Sequence, residues 1–138
     1  MYKTKIPGLS SGFRQLDEVT IGWHPSELVI IAARPAMGKT AFGISMAKRM
    51  AMDLHIPIAV FSLEMSNTQY VHRYMSVAMG VPLNTKDEKQ IMSALHKFDG
   101  RLSQIAEAPL YLDDTPSLTI AELRAKAGQL IKEHGVNN

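Results

Sequence analysis

Residues 33–40 read Ala-Arg-Pro-Ala-Met-Gly-Lys-Thr, and their types and spacing can do chemistry. Apart from the first position they follow the pattern Gly-x4-Gly-Lys-Ser/Thr of a phosphate-binding loop. Such a loop turns backbone N–H groups inward and starts a helix whose positive end faces the anion. It also supplies a cation and a hydroxyl for the phosphates and a magnesium ion. Gly38 lets the backbone approach phosphate without a Cβ in the way. Lys39 would reach the β and γ oxygens, and Thr40 would offer its hydroxyl to Mg2+. Ala33 replaces the first glycine, a substitution the turn tolerates if φ there is negative. Pro35 restrains the loop and gives up one N–H donor. The plain alternative is an ordinary helix start with a surface Lys-Thr pair. At average amino-acid usage such a match arises in a chain this long about one time in a hundred, so the flanking elements must decide.

A second candidate is Glu64, at the end of Val-Phe-Ser-Leu-Glu-Met, residues 60–65. At the C-terminal edge of a parallel sheet, a carboxylate faces the ligand crevice. It would take a proton from a water attacking the γ-phosphate, or orient that water. A solvent-exposed Glu near a helix start, favoured by the helix dipole, fits the position equally well. Arg73, nine residues on, would reach phosphates or the nucleobase, or else is a solvated helix-face cation. Asp113 and Asp114 could bind metal, but cap the turn before Pro116 more simply. The five histidines show no metal-ligand spacing, and the nine methionines read as core filler.

The elements that must position these groups alternate between two periodicities. Leu28 to Ala33 is continuous, apolar and partly β-branched, which predicts a strand buried on both faces. After the Gly38 turn, residues 39 to about 54 read as a helix with Phe42, Ala47, Met50 and Leu54 toward the core and Pro57 beyond its end. Ile58 to Leu63 predicts a second buried strand. Ser66 and Gln69 form a capping box, and Val71, Tyr74, Met75, Ala78 and Met79 follow at helical spacing until Gly80 and Pro82. Thr85 to Glu88 is another capping box, with Ile91, Leu95 and Phe98 on the next helical face and Gly100 as its end. Leu110 to Leu112 is a short third strand closed by Asp113-Asp114. Thr119 and Glu122 form a third capping box, from which Ile120, Leu123, Ala127, Leu130 and Ile131 carry a helix to Gly135. Before all of these, Phe13, Leu16 and Val19 are spaced for one face of a short helix. Trp23 reads as packing near the first strand. Strands alternating with helices imply an α/β fold, a parallel sheet flanked by helices on both faces.

Bulk properties set the class. The chain has 138 residues, 46% hydrophobic and 20% charged, enough for one ordinary core. Fifteen Lys and Arg against thirteen Asp and Glu leave a formal charge of +2, and no basic run exceeds two residues. That balance argues neither for nor against nucleic acid. The absence of cysteine excludes disulfides and thiolate chemistry. The N-terminus has no apolar core of a secretory signal, and no apolar run is long enough to span a membrane, which fits a cytoplasmic protein.

The residues converge on a family. Gly12-Phe13-Arg14-Gln15-Leu16-Asp17, the loop of residues 33–40, Phe61-Ser62-Leu63-Glu64-Met65, residues 111–119 and the helix ending Glu133-His134-Gly135 come in one order and spacing. Together they resemble the RecA-like ATPase domain of DnaB-type replicative DNA helicases, over nearly the whole chain. In that family the loop commonly begins with alanine, as at Ala33. The resemblance implies that Ala33, Arg34, Pro35, Ala36, Met37, Gly38, Lys39, Thr40 and Ala41 bind ATP, with Mg2+ at Thr40. It makes Glu64 and Lys39 the catalytic pair and sets Arg73 beside the nucleotide. It implies a homo-hexamer that translocates on single-stranded DNA with a primase and a helicase loader. The pattern breaks off at Asn138, before the Walker B strand whose aspartate orients magnesium. The expectation is therefore a partial RecA-like P-loop domain over 1–138. Residues 1–27 would be a lead-in and 28–138 the core, inactive alone as a helicase, with an exposed sheet edge or apolar face. A recombinase- or clock-type RecA-like ATPase and a non-hydrolysing nucleotide-binding module are the alternatives.

Overall fold

The computed structural model describes residues 7–80, 89, 92, 93, 96 and 99–134. In chain order the elements are α1 (Arg14–Thr20), α2 (Lys39–Lys48), a π-helical turn (Arg49–Asp53), β1 (Ile58–Phe61) and α3 (Asn67–Met79). They continue with α4 (Asp99–Glu107), β2 (Leu110–Asp113) and α5 (Ile120–His134). β1 and β2 pair in parallel, Ile58 opposite Leu110 through Phe61 opposite Asp113. The ladder is extended at both ends, where Ile58 N donates to Pro109 O and Ser62 N to Asp113 O, each at 2.9 Å.

Period-two alternation divides the sheet into two faces. Ile58, Val60, Leu110 and Leu112 pack on a core of Ile44 and Ala47 from α2 and Tyr70 and Tyr74 from α3. Ile105 of α4 joins them. The i, i+3 and i, i+4 spacings of those core residues put each pair on one helix face. Burial, with Asp53 and Tyr70 nearby, pushes the Tyr74 phenol up to about 12. The opposite sheet face is covered by α5 across a cavity of about 390 Å³. There the Tyr111 ring stacks on His134 with centroids 4.1 Å apart.

The local signals are met. Ser66 Oγ accepts from Gln69 N at 3.3 Å and the Gln69 side chain accepts from Ser66 N at 3.3 Å, closing the capping box of α3. Thr119 and Glu122 exchange the same pair of bonds at α5. Gly80 ends α3 with φ of 67°. The helix expected over 39 to about 54 runs through α2 and its π turn.

Several expectations are corrected. Leu28 to Ala33 forms no strand; Leu28 is 88% and Ile30 81% exposed. A strand exists through its ladder, and no described strand pairs with this segment, so hydrophobicity alone leaves it unpaired. Gly100 is the second residue of α4, and the helix it was expected to end lies outside the described residues. Glycine costs about 1 kcal/mol in a helix, and here the helix is held by Ile105 in the core and by Arg101, whose guanidinium donates to Ala78 O at 3.1 Å. Val19 of α1 is 81% exposed, and the buried residue of that helix is Asp17. The apolar stripe of α5 likewise contains no buried residue. The capping box at 85–88, the face of Ile91, Leu95 and Phe98, and the stops at Pro82 and Gly135 lie outside the described residues.

Candidate active site

The loop between residue 33 and α2 is exposed and turns tightly, with Met37 N donating to Arg34 O at 3.3 Å. Ala33 does not have a positive φ, so alanine meets the turn geometry there without strain. The left-handed positions are Ala36, at φ 62°, and Gly38, at φ 88°. Met37 between them, and Pro35 before them, are not left-handed. An alternation of handedness of this kind is the backbone geometry from which anion-binding nests are built. Gly38 is the N-cap of α2, and its carbonyl accepts from Phe42 N at 2.9 Å. A Cβ at Gly38 would meet no atom within 4 Å, so space for a ligand is open there and the positive φ is what favours glycine.

Lys39 is exposed and Thr40 half-buried on the first turn of α2. Among the described residues no carboxylate pairs with Lys39, which leaves its ammonium for an anion. Glu64 follows β1 in a turn closed by Ser62, whose Oγ donates to Met65 O at 2.7 Å and accepts from Met65 N at 3.1 Å. That turn carries Glu64 into solvent beyond the C-terminal edge of the sheet. Lys39, Thr40 and Glu64 line one open cavity of about 580 Å³ between α2 and β1. A cation and hydroxyl for phosphate and a carboxylate for water thus share one space, a donor set that fits a magnesium nucleotide. Ala41 is exposed on the same first turn.

Arg73 stands apart from that cavity. It lies on the outer face of α3 and lines a separate cleft of about 510 Å³ with Met65, Thr68, Gln69 and His72, so Met65 alone belongs to both spaces. Asp113 caps its turn, accepting from Thr115 N at 2.9 Å. The Lys126 ammonium donates to its other oxygen, and these bonds, that of Lys126 first, hold the Asp113 carboxyl at about 2. Asp114 instead accepts from Asn67 N at 2.8 Å and ties the start of α3 to the end of β2.

Sequence reasoning missed the groups that hold the lead-in. The Asp17 carboxylate accepts from Ser10 Oγ at 2.7 Å, Ser11 N at 2.8 Å and Ser11 Oγ at 2.6 Å. Ser-Ser-Gly six residues before an aspartate was the available signal, since short hydroxyl side chains there can close a loop onto it.

Comparison with known proteins follows this geometry. A family described as the DnaB-like helicase C terminal domain matches residues 8–138. The chain is 39% identical to the replicative DNA helicase DnaB of Nostoc sp., covering 95% of this chain and 15% of that protein. It is 36% identical to that of Geobacillus stearothermophilus, covering 96% and 29%. It therefore spans less than a third of those relatives. Among solved structures it superposes on a DnaB-like replicative helicase studied for its interactions with primase, with a TM-score of 0.84 and 28% identity. That match covers 95% of this chain and 32% of the other. On a second solved structure, described as an ATPase domain, the TM-score is 0.80 at 27% identity, covering 94% and 46%. These neighbours give the fold its RecA-like class, and among the described residues no helix is long and apolar enough to cross a membrane.

Proposed function

This chain belongs to the family of DnaB-like helicase C-terminal domains, and on that premise we propose that it is the ATP-binding part of a replicative DNA helicase. Residues 28–138 serve as the nucleotide-binding core and the residues before them as its lead-in. The parent protein couples ATP hydrolysis to movement along single-stranded DNA and unwinds the duplex. It does so as a cytoplasmic homo-hexamer that works with a primase and a loader. The observation that carries this reading is that Lys39, Thr40 and Glu64 line one cavity, which runs between α2 and β1 to the C-terminal end of that strand.

Each residue has a role its chemistry allows. The backbone of Ala33 to Gly38 cradles phosphate oxygens, and the N-terminus of α2 adds its positive end. Lys39 neutralises the charge that builds on the β and γ oxygens. Thr40 presents its hydroxyl to Mg2+, which when bound supplies further charge neutralisation at the phosphates. Glu64 orients the attacking water and takes its proton. Arg73, in the neighbouring cleft, approaches the nucleotide from the Met65 side.

The test is made in the full-length protein. Lys39→Ala should lower ATP hydrolysis by about a hundredfold or more, with nucleotide affinity reduced. Glu64→Gln should keep affinity and lose turnover by a similar factor. Near-normal hydrolysis in Lys39→Ala sinks the assignment, and unchanged turnover in Glu64→Gln removes Glu64 as the base.

A further inference from the structure

Residues 8–23 close on themselves and grip the helix that begins at the phosphate loop. Leu9 and Trp23 exchange both backbone bonds, each at 2.8 Å, and Gly8 N donates to Ile21 O at 3.1 Å. α1 lies inside this closure, pinned by the three bonds to Asp17. Ser11 is fully buried, and its Oγ accepts from Phe13 N at 3.1 Å. The backbone that carries Phe13 is therefore fixed from within the closure.

Two contacts then reach α2. The Phe13 ring stacks on Phe42 with centroids 4.8 Å apart and planes 21° from parallel. Gly12, at φ 90°, lies against the next element: the dihedral favours glycine, and a Cβ there would stand 3.0 Å from Arg49 Cγ. Phe42 and Arg49 are seven residues apart, about two helical turns, and share one side of the helix. The lead-in thus holds α2 near both ends. At its start the holding residue is the one whose amide closes the first turn onto Gly38. Side chains on a helix lean toward its N-terminus, so the Phe42 ring covers the turn that carries Lys39 and Thr40.

We propose that Phe13 is a positioning residue for the phosphate loop: through Phe42 it holds the first turn of α2, and with it Lys39 and Thr40, in the orientation that meets phosphate. This rests on the nucleotide-binding reading of residues 33–41. Phe13 touches no reacting group itself. Its ring, 38% exposed, is held by the stack rather than by the core, so its removal leaves Ile44, Ala47, Tyr70 and Tyr74 packed.

The experiment uses the 138-residue chain and two readouts. Phe13→Ala should speed hydrogen exchange of the residue 42–45 amides about three- to tenfold, the worth of an aromatic stack, while exchange across α3 stays unchanged. The affinity for a fluorescent ATP analogue with Mg2+ should fall by a similar factor. Phe13→Tyr should restore both, and Phe13→Leu, equally apolar but without a flat ring, should restore neither. Wild-type exchange in Phe13→Ala overturns the proposal. Full rescue by leucine overturns it too, as does faster exchange with unchanged affinity where Lys39→Ala abolishes binding. If Lys39→Ala binds as well as wild type, the loop reading fails instead, and exchange alone judges the coupling between Phe13 and α2.

Discussion

Residues 8–23 and residues 28–33 stand next to each other in the chain and exchange the roles their compositions imply. The first segment is rich in Gly, Ser and charge, yet it contains a fully buried serine and a buried aspartate. The second is an unbroken apolar run, yet Leu28 and Ile30 are almost wholly exposed. The difference lies in where their partners are. Asp17 finds three donors within seven residues of itself, so its burial is satisfied locally. A strand at 28–33 depends on a neighbour that no described element supplies, and apolar side chains without a facing surface remain in water. Burial follows from available partners, and hydrophobicity raises the reward only once a partner is present.

The comparison breaks most readily at Asp17. Asp17→Ala leaves the buried Ser11 hydroxyl and amide without their acceptor, and should cost about 2–4 kcal/mol in chemical denaturation. A loss below about 0.5 kcal/mol would mean that the lead-in is not closed in solution. Acid should produce a smaller effect at the same carboxyl. Burial pushes the Asp17 pKa up, but the bonds from Ser10 and Ser11, with Arg49 adding a little, outweigh it and leave the pKa below the ordinary 3.8. A carboxyl depressed by folding contributes stability that is fully present above 3.8 and is lost as pH falls through the lower folded value. Stability of wild type minus that of Asp17→Asn should therefore shrink as the pH falls below about 4. A difference that stays flat there would separate the hydrogen bonds from the charge. Asp113, also depressed, titrates in both proteins and cancels. The smallest effect belongs to the apolar run. Ile30→Ser should change stability by less than about 0.5 kcal/mol, because its side chain leaves water only slightly on folding. A loss above about 1.5 kcal/mol would show that residue 30 is covered in solution, and would reverse the comparison.

The same distinction runs through what could be read in advance. Ser66 with Gln69, Thr119 with Glu122, and the stops at Gly80 and after Asp113 were legible because each partner lies within a few residues. The pairing of β1 with β2 was legible as a class, since alternating strands and helices leave a parallel sheet as the short right-handed solution. Val19 misled because α1 is anchored by Asp17 and not by an apolar stripe. In the candidate site, Lys39, Thr40 and Glu64 were named from spacing and strand ends, and the fold brings them to one cavity. Arg73 was named on the same basis but faces a separate cleft. Nine residues of separation fix neither its helix face nor the neighbour it meets.

By itself the sequence determined the loop at 33–40, the helix it starts, the caps, and the strand end that bears Glu64, because all of these depend on bonds spanning a few residues. Tertiary structure alone decided which carboxylate shares a space with Lys39, that Phe13 rests on Phe42, and that residues 28–33 stand unpaired among the described elements. Those outcomes depend on which surfaces meet across the fold. A stack, a shared cavity or a ladder needs two partners brought together from distant parts of the chain, and neither partner's own residue type specifies the other.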